Sequence, residues 1–516
     1  MDSGKKLLAI DIGSKKVCAI IAEVRDGKPR LIGAGVEKSS GLKKGSITNI
    51  EQASKSIKQA FEYAKRVAGI SARDAVVSIS GGAVIGIDSH AIFNIQSGEI
   101  TIQDIEKVMK TSQYNLTIPP DYEVLHILPY NFKVDEQDYV EDPLGMNASR
   151  LEVFVHIITA PKSNVSNLKR AVELAGLEVS KVILDSYASY IATINSDERS
   201  LGCGVIDLGG DTSSFVIHAA GNAIRSTGFL GVGSDNVTND LSMALHTPVH
   251  IAESVKITYG SLMFPYEDDL IEIPAIGDET SSHEVALNLV GKVVYARVQE
   301  TLSILEEQIY NTGLRREIGA GFVLTGGLTK LEGVRELAGE IFKAPIRLAQ
   351  PRDNIDGLFN DLRDPSFSTA IGLILHSTGE HTLYEFDSNW NMLYNNDSVD
   401  EQRGSSRVDL EDIGPGSYGV PKEQVIENPT PRKKQDFSKE ARNTIPQGGR
   451  PSPRIPKTDL GGNQQVMRHP VENDLPGNYG DLSKINNMKT NTGSFGKPNT
   501  QNNQMSKIWQ WINQIF

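Results

Sequence analysis

The chain has 516 residues, 39% of them hydrophobic and 23% charged, so it is long enough for two or more domains and apolar enough to bury a sizeable core. Its formal net charge of −13 excludes a general nucleic-acid binder, because phosphate contacts need a clustered basic surface, and it leaves any membrane attraction mainly to apolar contacts. Cys18 and Cys203 each fall in an expected strand and read as reduced core residues, while His246 and His250, with Pro248 between them, have no Cys, Asp or Glu cluster to complete a metal site.

The first expected element is a hairpin. Residues 7–23, LLAIDIGSKKVCAIIAE, run as an apolar strand, then Asp11-Ile12-Gly13, a short polar turn and a second apolar strand. Lys5 and Lys6 precede it, but Asp11 interrupts the apolar stretch far short of a signal-peptide core or a spanning helix, so no export is expected. Apolar runs then alternate with helical periodicities to about residue 376, the pattern of stacked α/β layers. Residues 203–219, CGVIDLGGDTSSFVIHA, repeat the opening hairpin in type and order. Such a duplication predicts two similar halves with a cleft between them.

Each hairpin suits phosphate. Turns containing Gly13 and Ser14, or Gly209 and Gly210, let backbone N–H groups approach phosphate oxygens closely, and two of them could clamp one polyphosphate. Asp11 and Asp207, at the ends of buried strands, are placed to hold the water shell of a Mg²⁺, and Lys15 or Lys16 could add a point charge. A lone Asp-x-Gly is more often a plain hairpin, so the matched pair carries the inference. Residues 251–259, IAESVKITY, set Glu253 and Lys256 three apart on one helix face, either as a surface ion pair or as contacts to a ribose or base. Residues 322–334, FVLTGGLTKLEGV, carry a strand into Gly326 and Gly327, whose flat backbone could lie against an adenine ring or be an ordinary strand-to-helix turn.

The texture changes towards the C-terminus. Residues 397–504 are rich in Pro, Gly, Asn, Ser and charges, with Tyr418, Phe437, Tyr479 and Phe495 as their only aromatics, and are expected to be a disordered linker spanning about 60 Å as a flexible coil. Residues 505–516, MSKIWQWINQIF, place Met505, Ile508, Trp509, Trp511, Ile512, Ile515 and Phe516 on one helical arc of roughly 160°. A helix that short cannot span a bilayer, so it is expected to lie in the lipid interface, with docking on its own core or in a partner's groove as the alternatives.

The two hairpins, the Gly-Gly turn and the 251–259 helix resemble the nucleotide-binding motifs of the actin, Hsp70 and sugar-kinase superfamily. Between residues 84 and 161, VLHILPYNFKVDE, EDPLGM and RLEVFVHIIT resemble the small extra subdomain of the bacterial cell-division family FtsA, which Hsp70 and MreB lack at that place. AESVKITYG and the amphipathic terminus resemble that family too, so the likeness covers about residues 5–376 and the last dozen.

The resemblance implies an α/β, actin-like, two-lobed fold with duplicated mixed sheets around a nucleotide cleft. One lobe would hold 1–83, 162–200 and 361–384, with 84–161 as an inserted small α+β subdomain; the other would hold 201–227 and 302–360, with 228–301 as its smaller subdomain; 385–504 would be the linker and 505–516 the membrane helix. It implies ATP with Mg²⁺, held by Asp11, Gly13, Ser14 and Lys16, by Asp207, Gly209 and Gly210, by Glu253 and Lys256, and by Gly326 and Gly327. Asp185, in VILDSYASYIATI, falls where related ATPases carry the acid that orients the attacking water. The usual Glu-Pro there is replaced by Asp185-Ser186, Asp211 replaces a frequent third glycine, and Leu328 replaces a small residue beside the adenine, so nucleotide binding is expected ahead of hydrolysis.

As for function, the family implies a structural adaptor, at most a weak ATPase. It would self-associate into filaments, tether tubulin-like FtsZ to the cytoplasmic face of the cell membrane at the division site, and recruit later division proteins. The C-terminal peptide of FtsZ would dock on 228–301, where Lys292 and Arg297 are candidate contacts, a solvated helix face being the plainer reading of those two. A kinase or catalytic ATPase, a type IV pilus-assembly relative and a chaperone-like ATPase are the alternatives on the same fold, the last disfavoured because no alternating strands follow residue 376.

Overall fold

A computed structural model describes residues 5–81, 83–220, 223–263, 269–353 and 355–394. The expected linker beyond 394 and the expected helix at 505–516, with Ile508, Trp509, Trp511, Ile512, Ile515 and Phe516, lie outside the described residues.

The duplication is present in the sheets. In one, the strands run in the order Glu178–Leu184, Asp74–Ile79, Lys5–Ile12, Lys16–Arg25, Lys28–Lys38. In the other, the order is Ile346–Leu348, Phe322–Thr325, Cys203–Leu208, Ser213–Ala219, Ala223–Leu230. In both, two parallel strands precede a three-stranded antiparallel meander. The registers match as well: Ile12 pairs with Val17 and Leu208 with Ser213, leaving a four-residue loop at each hairpin. The central strands are buried on both faces, as near-continuous apolar sequence between helix layers requires.

Two short helices occupy the space between these sheets. Asp185–Thr193 and Ser368–Ser377 are buried along almost their whole lengths, which their Ala, Ile, Leu and small hydroxyl residues allow. They touch at Gly372, where an added Cβ would lie 1.8 Å from the carbonyl oxygen of Ala188, so only glycine admits this approach. Cys18 and Cys203 are free and buried.

Residues 85–161 form a separate four-stranded antiparallel sheet, in the order Ile85–Asn94, Arg150–Pro161, Tyr122–Val134, Gln137–Val140, covered by the helix Ile102–Tyr114. Thr101 and Asp104 cap that helix reciprocally, and its Ile105, Val108 and Met109 pack into a core of their own with Leu151, Val153 and Val155.

The C-terminal boundary of the folded part differs from the expectation. The linker was expected from residue 385, yet Tyr384 and Phe386 are buried in the core of the inserted domain. Phe386 exchanges two backbone hydrogen bonds of 3.1 Å with Ile127, and Leu393 N–H donates to the Glu385 carbonyl at 2.7 Å. Residues 383–394 carry Leu383, Tyr384, Phe386, Trp390, Met392, Leu393 and Tyr394, enough apolar surface to offset the entropy of ordering so short a stretch.

Candidate functional site: a cleft between two glycine turns

The two hairpin loops face one cavity of about 420 Å³, within the roughly 300–1,000 Å³ range of small-molecule pockets. In the first loop Gly13 N–H donates to the Lys16 carbonyl at 3.1 Å, and in the second Gly209 N–H donates to the Thr212 carbonyl at 2.9 Å. The same turn is therefore built twice. Ser14, Gly210, Glu253, Lys256, Gly326, Gly327 and Asp185 also line the cavity, so every residue expected to touch nucleotide is on its wall.

Asp11 and Asp207 end the two central strands on the cavity floor. Asp11 Oδ1 accepts from Ser78 Oγ at 2.9 Å, and Asp207 Oδ2 accepts from Ser189 Oγ at 2.6 Å and Thr369 Oγ1 at 3.4 Å. Burial pushes both carboxyls above their ordinary range, and Lys16 with the serine hydroxyls only partly offsets it. Two desolvated acids facing one pocket fit a divalent cation, which one or two carboxylates and phosphate oxygens would hold. Asp185 opens the helix between the sheets, and burial, with the neighbouring Asp207 and Asp11 carboxylates, pushes it up to about 7, although Ser186 N–H donates to its Oδ1 at 2.6 Å.

Gly326 shows why glycine is needed at the third motif. It has φ 91°, and an added Cβ would lie 2.4 Å from Asp207 Oδ1, so any side chain would displace the floor carboxylate. Beside it Leu328 is buried and, with Leu331 and Ile257, makes that end of the cavity apolar.

The positive charges are distributed differently from the expectation. Lys16 lines the cavity, but its ammonium donates to the Ser366 carbonyl and sits 4.2 Å from the Phe367 ring centre. Lys15 of the first turn pairs with Asp235, and Asp211 of the second accepts from Lys44 N–H at 3.0 Å, so both of these charges have protein partners. Glu253 and Lys256 are no surface pair. Lys256 is 5% exposed and donates to Glu253 Oε2 at 2.7 Å and Thr238 Oγ1 at 2.9 Å, which knits the helices Ser234–Ala244 and Val249–Tyr259 together under the cavity wall.

Ser78, Ser189 and Thr369 escape sequence reasoning. Each is a hydroxyl in a strand or helix, brought to the acids only by the fold. Ser234 lies in the GVGSD loop at a helix start, and those glycines were its available signal.

Of the expected partner contacts, Lys292 is exposed, but Arg297 is taken. Its guanidinium donates to Asp240 at 2.5 and 3.1 Å and to Glu300 at 2.5 Å, and its side chain is only 12% exposed. It ties the helix Leu287–Asn311 to Ser234–Ala244, which removes it as a contact for an acidic peptide.

Comparison with known proteins agrees with this architecture. A family model described as "SHS2 domain inserted in FTSA" matches residues 81–159, and one described as "Cell division protein FtsA" matches residues 204–372. The chain is 38% identical over 419 residues to cell division protein FtsA of Helicobacter pylori, covering 75% of this chain and 85% of that protein. It is also 38% identical over 379 residues to FtsA of Pseudomonas aeruginosa, covering 73% and 90%. A solved "PilM-PilN type IV pilus biogenesis complex" shares the fold at 16% identity and a TM-score of 0.53, covering 72% of this chain and 98% of that one. The duplicated sheets, the insertion and these relatives together place the chain in the FtsA family of cell-division proteins, with an actin-like fold.

Proposed function

We propose that this chain binds ATP with Mg²⁺ in the cleft between its two glycine turns and works as a structural adaptor. In that role it self-associates and tethers the tubulin-like FtsZ ring to the cytoplasmic face of the membrane, where later division proteins join. One observation supports the nucleotide reading above all: two turns of the same register meet one cavity whose floor carries two desolvated carboxylates that their protein partners offset only in part. Asp11 and Asp207 would hold Mg²⁺, which supplies the charge that lets phosphate approach them. The backbone of the turns positions the phosphates, and Gly326, Gly327, Leu328 and Ile257 make an apolar berth for the base. Asp185, poised near neutrality, supports slow hydrolysis at most.

The membrane reading rests on the segregated apolar arc of 505–516. Burying its seven apolar side chains would yield on the order of 10 kcal/mol, and ordering its backbone costs about as much, so a single tail binds weakly and an assembly binds tightly by avidity. Sedimentation with vesicles, with and without ATP and FtsZ, tests this. The full chain co-sediments and carries FtsZ with it, the chain lacking 505–516 stays in solution, and equal sedimentation of the two would refute the tether.

A further inference from the structure

Outside the cleft, a buried polar cluster surrounds Glu385, which has no solvent exposure. Its Oε1 accepts from His126 Nδ1 at 3.0 Å and His376 Nε2 at 2.9 Å, and its Oε2 accepts from Tyr187 Oη at 2.6 Å and Thr382 N–H at 3.3 Å. Burial alone would push this carboxyl up, but His376 and His126 outweigh it and hold it well below the usual range, so the group is an anion satisfied by four donors.

His126, His376 and Glu385 could in outline hold a metal ion, but the hydrogen bonds argue otherwise. Leu184 N–H donates to His126 Nε2 at 3.2 Å, which makes that nitrogen the acceptor and puts the ring proton on Nδ1, facing Glu385. A metal at Nδ1 would need the opposite tautomer and would leave two N–H groups face to face.

The cluster instead joins two parts of the molecule. Towards the cleft, Leu184 immediately precedes Asp185, and Tyr187 is on the same helix as Ser189, which holds Asp207. Towards the C-terminus, Glu385 belongs to a segment fixed on both sides. Phe386 pairs with Ile127, Tyr384 Oη donates to Asp142 at 2.6 Å, Val182 N–H donates to Ser388 Oγ at 3.0 Å, and Lys181 lies 3.3 Å from Asp387. From residue 394 the chain runs on towards the amphipathic terminus.

We infer that residues 382–394 are a clasp that couples the cleft to the chain leading to the tail, with Glu385 and Tyr187 as positioning residues for Asp185 and Ser189. The inference rests on the nucleotide reading above. Because coupling between two sites is reciprocal, nucleotide in the cleft tightens the link between Tyr187 and Glu385, and whatever breaks that link weakens nucleotide binding.

Three tryptophans occur in the chain, Trp390, Trp509 and Trp511, so the full-length Trp509→Phe, Trp511→Phe variant reports from Trp390 alone, which is 42% exposed and packs edge-on against Phe386. Its emission should shift on addition of Mg-ATP, in step with calorimetric binding measured on the same sample. Adding Tyr187→Phe, which removes one hydroxyl, should weaken ATP about fivefold, the low end of typical coupling, and abolish the shift. Tyr384→Phe, which cuts a bond of the clasp to the inserted domain, should keep both. Binding with a silent Trp390, an unaltered Tyr187→Phe response, or equal losses in Tyr187→Phe and Tyr384→Phe each overturn the coupling alone. Absence of calorimetric binding overturns the nucleotide reading, and the coupling with it.

Discussion

Asp185 can be followed from its surroundings to a measurable pH dependence. Its carboxyl moves from an ordinary value of 3.8 to about 7 because it is buried beside two other acids. A raised folded-state value means that the native protein holds a proton the unfolded chain has released, so this residue's contribution to stability is full below about 4 and is lost as pH rises through about 7. Asp185→Asn removes that loss. In nucleotide-free protein the variant should be more stable than the parent at pH 8, by up to about 4 kcal/mol for a rise from 3.8 to about 7, with little difference at pH 4. Thermal unfolding across that range checks it, and parallel curves for the two proteins would show that Asp185 does not carry the shift.

At the scale of elements, Gly372 sets local propensity against packing. Alanine is the better helix former by roughly 0.5–1 kcal/mol. Its Cβ would, however, lie 1.8 Å from the Ala188 carbonyl oxygen, and overpacking of this kind costs about 1–3 kcal/mol. Packing wins, so Gly372→Ala should lower the melting temperature by several degrees, whereas a rise would show that the two helices part easily. It should also weaken nucleotide binding, because Ser189 and Thr369 reach Asp207 from those helices.

What the sequence made legible follows the same division between local and long-range order. The hairpins at 7–23 and 203–219 could be read because a strand, a glycine turn and a strand are contiguous, and the acids and glycines of the cleft came with them. Ser78, Ser189 and Thr369 could not, since nothing around a single hydroxyl announces a partner 67, 18 or 162 residues away. Arg297 was misjudged for the same reason: its nearest sequence neighbours suggest a solvated helix face, while Asp240, 57 residues earlier, removes it from the surface. The boundary at 385 failed because it weighed the polar linker that follows more heavily than the aromatic residues up to 394.

At the scale of the whole molecule, two sheets with one strand order and one hairpin register create the cleft, and the symmetry of the sheets explains why its floor holds two acids. Burial of both is unfavourable unless a cation joins them, which makes the grip on a magnesium-bound triphosphate the claim on which the adaptor role depends. Isothermal titration of the full chain with ATP, with and without magnesium, tests that grip most directly. Saturable binding at one site per chain, at least tenfold weaker when magnesium is removed or when Asp11 and Asp207 are both changed to asparagine, is the predicted result. No measurable binding, or binding indifferent to the metal and to both carboxylates, would contradict it.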